Sequence, residues 1–384
     1  MQWRIEKLGY IAQVIAGQSP PGTAFNQNGI GTPFYQGKKE YGERYLLPPA
    51  VWTTQETKIA EAGDLLISVR APVGALNFAT QRICIGRGIA AIRTSKLSPD
   101  FLFYALSNLS IKGKDGAVFA SINRTEIEAI PIPVPPPSEQ ERIVGILDAA
   151  FEKIDAMKQN AEANLQNAKE LFQQALSEAM TPKEEWTPAL LEEVVASSCS
   201  LSYGIVQPGN EYKNGIPIVR PVDLSGTYVY KIGLKRIAPE IAMSYRRTLL
   251  HGGELLLCVR GETGIMGIAA AELDGCNVTR GIVPILFDST KIISSFGMFI
   301  MSSPQIQCQI KQATRGTALM QINIGDLRKL SLSYPEVHQQ NEIAQRLQTI
   351  VQKHRSVTEN FQKVVLDCDE LKKAILTRAF TGEL

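Results

Sequence analysis

Histidine is scarce in this sequence, with three in 384 residues, and neither a His-Glu-x-x-His helix nor a Gly-x-Ser-x-Gly elbow occurs. Those absences exclude the common zinc and serine hydrolase arrangements. Cysteine is sparse too: Cys84, Cys199, Cys258, Cys276, Cys308 and Cys368 are scattered, with no Cys-x-x-Cys pair. Without that spacing they read as small apolar residues rather than as metal ligands. No run approaches the roughly 18–20 continuous apolar residues of a membrane helix, and the first residues, MQWRIEKLGYIAQV, lack the apolar core and cleavage site of a signal peptide. A cytoplasmic protein is the expectation. Net charge is only +2, so any polyanion site must be a local concentration of Lys and Arg. No glycine-rich dinucleotide loop follows a strand, and GTPFYQGKK has the wrong glycine spacing for a phosphate loop. No Asn or Asp precedes a Pro-Pro-aromatic sequence, so the base-holding motif of amino-methyltransferases is missing. The chain reads as one without its own active site, metal or cofactor.

What the sequence does have is a copy of itself. GTPFYQG from Gly31 matches GIPIVRP from Gly215, and AGDLLISVRAPVG from Ala62 matches GGELLLCVRGETG from Gly252. Arg87-Gly88-Ile89 matches Arg280-Gly281-Ile282. From Gly116 to Thr181 the halves run at a constant offset of 200, pairing Gly116 with Gly316, Ile122-Asn123 with Ile322-Asn323, and Pro135 with Pro335. Each half therefore has a variable front and a closely kept back.

Each back predicts a long helix. Five prolines stand among residues 131–137, followed by Ser138-Glu139-Gln140-Glu141, which reads as a capping box. Mostly apolar positions then recur every seven residues at Ile143, Ala150, Met157, Asn164 and Leu171, and at Leu147, Ile154, Ala161, Ala168 and Ala175. The second copy repeats them at Ile343, Ile350, Val357, Val364 and Leu371, and at Leu347, His354, Phe361, Cys368 and Ile375. Such heptads predict a coiled-coil seam. Chain direction makes the pairing antiparallel, and about 38 helical residues give a rod of roughly 57 Å. With the seams fully overlapped, Ile143 lies near Ile375 and Asn164 opposite His354. That pair is either a buried polar layer fixing register or a half-buried, wet one.

The fronts read as mixed α/β lobes, with β-rich runs such as DLLISV, IAAIRT, ELLLCV and GIVPILF broken by turn residues. SPDFLFYALSNLS and SSFGMFIMSSPQIQCQI read as helices packed on the sheet. The expected domains are residues 1–137, a first lobe; 138–181, a central coiled-coil helix; 182–336, a second lobe; and 337–384, a C-terminal coiled-coil helix. The whole is a pseudo-two-fold tandem duplication of α/β (α+β) lobes joined by an antiparallel pair of long helices.

Basic and aromatic side chains cluster in both fronts: Tyr35, Lys38, Lys39, Tyr41, Arg44 and Tyr45 in one, and Arg220, Tyr228, Tyr230, Lys231, Lys235, Arg236, Tyr245, Arg246 and Arg247 in the other. Such groups neutralise phosphate, and Arg also reads guanine. Arg70 and Arg260, and Arg87 and Arg280, are matched between lobes that otherwise differ. A residue kept in both lobes serves phosphate or scaffold, which carries no sequence information. The unmatched Tyr35, Lys38, Lys39, Arg44, Arg220, Lys231, Lys235, Arg236, Arg246 and Arg247 are therefore the base-reading candidates.

Two divergent lobes alternating with two similar long helices, PPPSEQERIVGILD leading into one and LKKAILTRAFTGEL closing the chain, resemble the DNA-specificity subunit of Type I restriction-modification systems. The resemblance implies a non-catalytic subunit for bacterial defence, each lobe reading one half of a bipartite, asymmetric site in double-stranded DNA. It implies a coiled coil that sets the spacer and docks two methyltransferase subunits, with restriction-translocase subunits joining them. S-adenosylmethionine, Mg and ATP would then be bound by those partners. A standalone regulator of a spaced operator and a coiled-coil assembly scaffold are the alternative readings.

Overall fold

The computed structural model describes residues 3–94, 96–109, 111, 121–316 and 320–384; Gly116, at the head of the offset-200 run, lies outside them. The chain divides into two compact units, residues 1–162 with 363–384, and residues 163–362. Each unit holds one lobe and one end of each long helix.

In the first unit, a four-stranded sheet runs in the order Ala12–Ala16, Ile89–Thr94, Leu65–Ser68, Leu76–Phe78. Strand Leu65–Ser68 is buried at all four residues, because both faces of the sheet are covered. Side chains alternate across a strand, so Leu65 and Ile67 join one core with helix Pro99–Ser107 and the long helices. Leu66 turns the other way, into a core formed with Tyr35, Ile83 and Ile85 of a second, five-stranded sheet. The second unit repeats this at Leu255–Cys258: Leu255 and Leu257 face the helices Ser294–Ser302 and Pro304–Ala313, while Leu256 and Cys258 face the other core. Burying such a Leu or Ile stabilises by roughly 1.5–3 kcal/mol. The turn before each strand needs a glycine: Gly63 and Gly253 sit at φ 88° and 90°, a region that only glycine enters freely. The following carboxylate satisfies the turn, with Asp64 accepting from Glu61 N at 2.8 Å and Glu254 from His251 N at 2.6 Å.

All four expected β runs are strands, but the lobes differ at their sheet edges. The first lobe adds Ala12–Ala16 beside Ile89–Thr94; the second adds Tyr228–Val229 beside Met266–Ala269. The long apolar stretch of the second lobe is two helices, broken at Ser303, because Pro304 starts a new helix better than it continues one.

The proline run is an edge strand, Pro131–Val134, paired antiparallel with Arg4–Lys7; Ser331–Tyr334 pairs in the same way with Thr187–Leu190. The long helices follow at Pro137–Ala179 and Val337–Thr381, 43 and 45 residues, or about 65 Å each at 1.5 Å per residue. The first opens on Pro137, ahead of the expected cap. Glu139 and Gln140 donate their N–H groups to Pro136 O at 2.9 and 3.1 Å, so Ser138 lies inside the first turn. The reciprocal capping box stands instead at Asn123 and Glu126.

Gln140 has a different task. It is 3 % exposed, accepts from Ser98 N at 2.8 Å and donates to Pro135 O at 2.9 Å. Gln340, fully buried, accepts from Ile293 N at 3.0 Å and donates to Pro335 O at 2.8 Å and Lys291 O at 2.6 Å. One side chain thus ties each long helix both to its strap and to the start of the lobe helix. Gln340 makes one more hydrogen bond than Gln140, and that bond goes to Lys291 O of the lobe rather than to the strap.

Within each unit the helix pair is antiparallel. In the first, Lys158 pairs with Asp369 at 2.7 Å and Lys372 with Asp155, while Arg142 donates to Leu384 O at 3.1 Å. In the second, His354 stacks on Phe172 with ring centroids 5.0 Å apart. This corrects the expected register. Ile143 lies level with the last residue rather than with Ile375. Eight residues back from Phe172 along one helix is eight forward from His354 along the other, so Asn164 lies across from Gln362. Asn164 is exposed, and the polar layer does not form.

One heptad column also shifts. Leu147, Ile154 and Ala161 are buried as expected, but Met157, Leu171, Val357 and Leu371 are 44, 66, 39 and 43 % exposed. Their places on the seam go to Phe151, Lys158, Leu165 and Phe172, and to Val351, Thr358, Val365 and Lys372, all half-buried. Ile143 belongs to the lobe core, so two successive four-residue steps carry the stripe from that core onto the partner helix. A phase counted from Ile143 therefore lands one residue early.

Replacing Gln140 or Gln340 with Leu leaves two or more buried backbone groups unpaired, at roughly 1–3 kcal/mol for each group. Both variants should melt earlier than wild type by calorimetry, Gln340→Leu by at least as much as Gln140→Leu. A melting curve unchanged in either would show that the clamp is not holding.

Candidate nucleic-acid interface

The strand that is buried on both faces emerges only at its end, and there each lobe presents an arginine. In the first lobe Ser68 pairs with Ile89, and Val69 N donates to Gly88 O at 3.0 Å, so the next step sets Arg70 opposite Arg87. In the second lobe Cys258 pairs with Ile282, and Val259 N donates to Gly281 O at 2.8 Å, setting Arg260 opposite Arg280. Both ladders continue outward in the same way: Arg70 bridges Ser121, and Arg260 bridges Gln321. Arg70 and Arg87 are exposed, Arg260 and Arg280 partly so. Among the described residues none of the four has an acidic partner. Two unneutralised guanidinium groups at one strand end make a ready anion site.

The base-reading candidates divide into three sets. Tyr35 is 1 % exposed and donates its hydroxyl to Leu47 O at 2.8 Å; burial, with Glu40 nearby, pushes its pKa up to about 12. It is a core residue, and its place in a basic cluster conceals that. Arg44 is a rivet between lobe and helix, pairing with Asp100 at 2.7 Å and Asp148 at 2.8 Å, its guanidinium 5.2 Å from the Phe103 ring and 5.3 Å from that of Tyr104. Burial opposes its charge, but the bonds to Asp148 and Asp100 outweigh it and hold its pKa above the ordinary arginine value. Neither residue is placed to read a base.

Arg220, Lys235 and Arg236 are partly exposed but tethered. Arg220 pairs with Asp223 at 2.9 Å, Lys235 donates to Gly209 O at 2.6 Å, and Arg236 donates to Gly215 O at 3.1 Å. Lys38, Lys39, Lys231, Arg246 and Arg247 are exposed, and among the described residues their side chains carry no ion pair. Lys38–Glu40 and Arg246–Thr248 are single 3-10 turns. Tyr228 and Tyr230, exposed and 6.4 Å apart by ring centroid, offer flat apolar surface next to Lys231 in the chain.

Neutral side chains share this region, and charge alone does not point to them. Gln36 is exposed and accepts from Ser19 Oγ at 2.9 Å, and Ser19 Oγ in turn accepts from Arg87 N at 3.4 Å. The only signal in the sequence is its alignment with Arg220 in the repeat.

Among the described residues there is no His, Cys, Asp and Glu cluster able to hold a metal, and no helix is long and apolar enough to cross a membrane. Cys84, Cys258, Cys276 and Cys368 are buried, and burial raises the thiol pKa of Cys258 and Cys276.

Comparison with known proteins places the chain in a family. The family model described as the Type I restriction modification DNA specificity domain matches residues 1–166 and 184–364. A putative type I restriction enzyme MjaX specificity subunit of Methanocaldococcus jannaschii is 41 % identical over 167 residues, covering 42 % of this chain and 39 % of that one. The type I restriction enzyme EcoBI specificity subunit of Escherichia coli is 23 % identical over 415 residues, covering 100 % of this chain and 86 % of that one. The fold is shared with a chain solved to describe complex assembly and conformational transition of the type I R-M system, at TM-score 0.81, 18 % identity, and coverage of 100 % and 98 %. It is shared also with the HsdS subunit from Thermoanaerobacter tengcongensis, at TM-score 0.59, 17 % identity, and coverage of 100 % and 97 %. With one family model matching both halves of the duplication, the chain belongs to the Type I restriction-modification DNA specificity family.

Proposed function

We propose that the chain is a non-catalytic specificity subunit whose lobes each read one half of a bipartite site in double-stranded DNA. The observation that carries this reading is the repeated arginine pair, Arg70 with Arg87 and Arg260 with Arg280, at equivalent strand ends of two lobes whose edges otherwise differ. A gripping element kept in both lobes beside surfaces that differ suits two unlike half-sites. The long helices set the unread spacer between them, and their outer faces dock two methyltransferase subunits, with restriction-translocase subunits completing the assembly. Chemistry that needs S-adenosylmethionine, Mg or ATP belongs to those partners. Neither a lone operator regulator nor an assembly scaffold has an observation in its favour that this reading leaves out.

Two tests follow. Arg87→Ala and Arg280→Ala should weaken binding to all DNA alike and reduce the slope of log affinity against log salt by about 0.9 for each phosphate no longer neutralised. A change in the preferred sequence instead would move these arginines from phosphate to bases. Mapping the methylated motif in cells that carry the chain with its methyltransferase should return two unlike half-sites around a fixed gap. Inserting seven residues into each long helix keeps the seam in phase and adds about 10 Å, near three base pairs at roughly 3.4 Å each. The mapped gap should lengthen by that amount with both half-sites intact; an unchanged gap would refute the ruler.

A further inference from the structure

The matched arginines have unmatched neighbours that occupy one structural position. In the first lobe strand Thr32–Tyr35 runs parallel to Ile83–Ile85, and Gly86 N donates to Tyr35 O at 2.8 Å. In the second, Ile216–Val219 runs parallel to Asn277–Val278, and Thr279 N donates to Val219 O at 2.9 Å. The residue that leaves the strand in each case, Gln36 or Arg220, lies against the turn that carries Arg87 or Arg280. The approach is close. A Cβ on Gly86 would come within 2.7 Å of Gln36 Oε1, and one on Gly281 within 2.7 Å of the Pro221 ring that follows Arg220.

Each side chain is held so that one hydrogen-bonding edge stays open. Arg220 donates from Nε and Nη2 to Asp223 at 3.1 and 2.9 Å, while its own backbone N–H holds the same carboxylate at 2.7 Å. That fork fixes the plane of the guanidinium and, among the described residues, leaves Nη1 and the second hydrogen of Nη2 without an acceptor, on a side chain 38 % exposed. Gln36 is fixed through Oε1 by Ser19, which leaves its amide N–H groups and a second lone pair on Oε1. Two parallel donors match guanine O6 and N7; a donor beside an acceptor matches adenine N7 and N6.

We propose that Gln36 and Arg220 are counterpart base-reading residues, Arg220 selecting a guanine in the half-site of the second lobe and Gln36 an adenine in that of the first. The proposal rests on the DNA-reading function above. It divides the work between adjacent residues: the arginine common to both lobes grips phosphate, and the residue that differs reads.

The test is motif mapping, in cells that carry the methyltransferase, for wild type, Arg220→Ala, Arg220→Lys, Asp223→Asn and Gln36→Ala. Arg220→Ala should relax one guanine by roughly tenfold or more and leave the other half-site unchanged. Arg220→Lys should not restore it, because an ammonium cannot form the fork. Asp223→Asn keeps the arginine but loosens it, and should relax the same guanine; it serves as the second readout if Arg220→Ala fails to fold. Gln36→Ala should relax one adenine in the opposite half-site. Full rescue by Arg220→Lys, an even loss of methylation with the motif unchanged, relaxation at a base other than guanine in the Arg220 and Asp223 variants, or at a base other than adenine in Gln36→Ala, would overturn the assignment. A wild-type chain that leaves no bipartite motif overturns the function itself, an outcome separate from the failure of these two residues.

Discussion

Each lobe depends on one short strand that is covered on both faces. Leu65–Ser68 and Leu255–Cys258 alternate their side chains between two cores, so neither can move without opening both. Such a strand has no solvent-facing side on which to carry function. What it can do is deliver the residue at its end to a fixed place. Arg70 and Arg260 emerge there, and the register of the antiparallel neighbour sets Arg87 and Arg280 opposite them. The position of these arginines is thus a consequence of core packing, and a net charge of only +2 does not prevent such a local concentration of positive charge.

The same economy governs the joint between lobe and helix. A long helix leaving a small lobe would swing unless its first turn were fastened, and the straps supply only one extended contact each. Gln140 and Gln340 fasten that turn by satisfying backbone groups of the strap and the lobe helix together. In the first lobe Arg44 adds a second fastening through Asp100 and Asp148. Three aromatic rings, Phe78, Phe103 and Tyr104, lie within 5.9 Å of its guanidinium, which makes desolvation of the charge tolerable.

Much of this is legible in the sequence because repetition converts one pattern into two independent copies. The buried strands, the long helices, their antiparallel sense and the matched arginines all follow from aligning the halves. What is not legible is instructive. Tyr35 and Arg44 look like surface residues because their neighbours are Lys38, Lys39 and Glu43, yet Tyr35 packs with Ile83 and Ile85, and Asp148, a partner of Arg44, is 104 residues from it. Local sequence cannot reveal such pairings. The helix register is hidden for another reason. Heptads fix which face is apolar but not how far one helix slides along the other, and Ile143 shares the seam's period although it serves the lobe core. Ser-Glu-Gln-Glu likewise fits the pattern of a cap, whereas the helix begins at Pro137 and Gln140 works as a clamp.

Duplication followed by divergence also explains why charge alone is a poor guide to the reading residues. On the proposed reading a lobe that holds DNA needs phosphate contacts whatever its target, which would keep Arg87 and Arg280 alike. A different half-site would then call for a change at the neighbouring position, where the useful property is a fixed arrangement of donors and acceptors rather than charge. Gln36 and Arg220 differ in charge, yet each is anchored by a short hydrogen bond that leaves one edge open. Anchoring matters because a free arginine would satisfy phosphate as readily as a base. Held by Asp223, whose negative charge disfavours a phosphate close by, the Arg220 guanidinium is better suited to the neutral edge of a base than to the backbone.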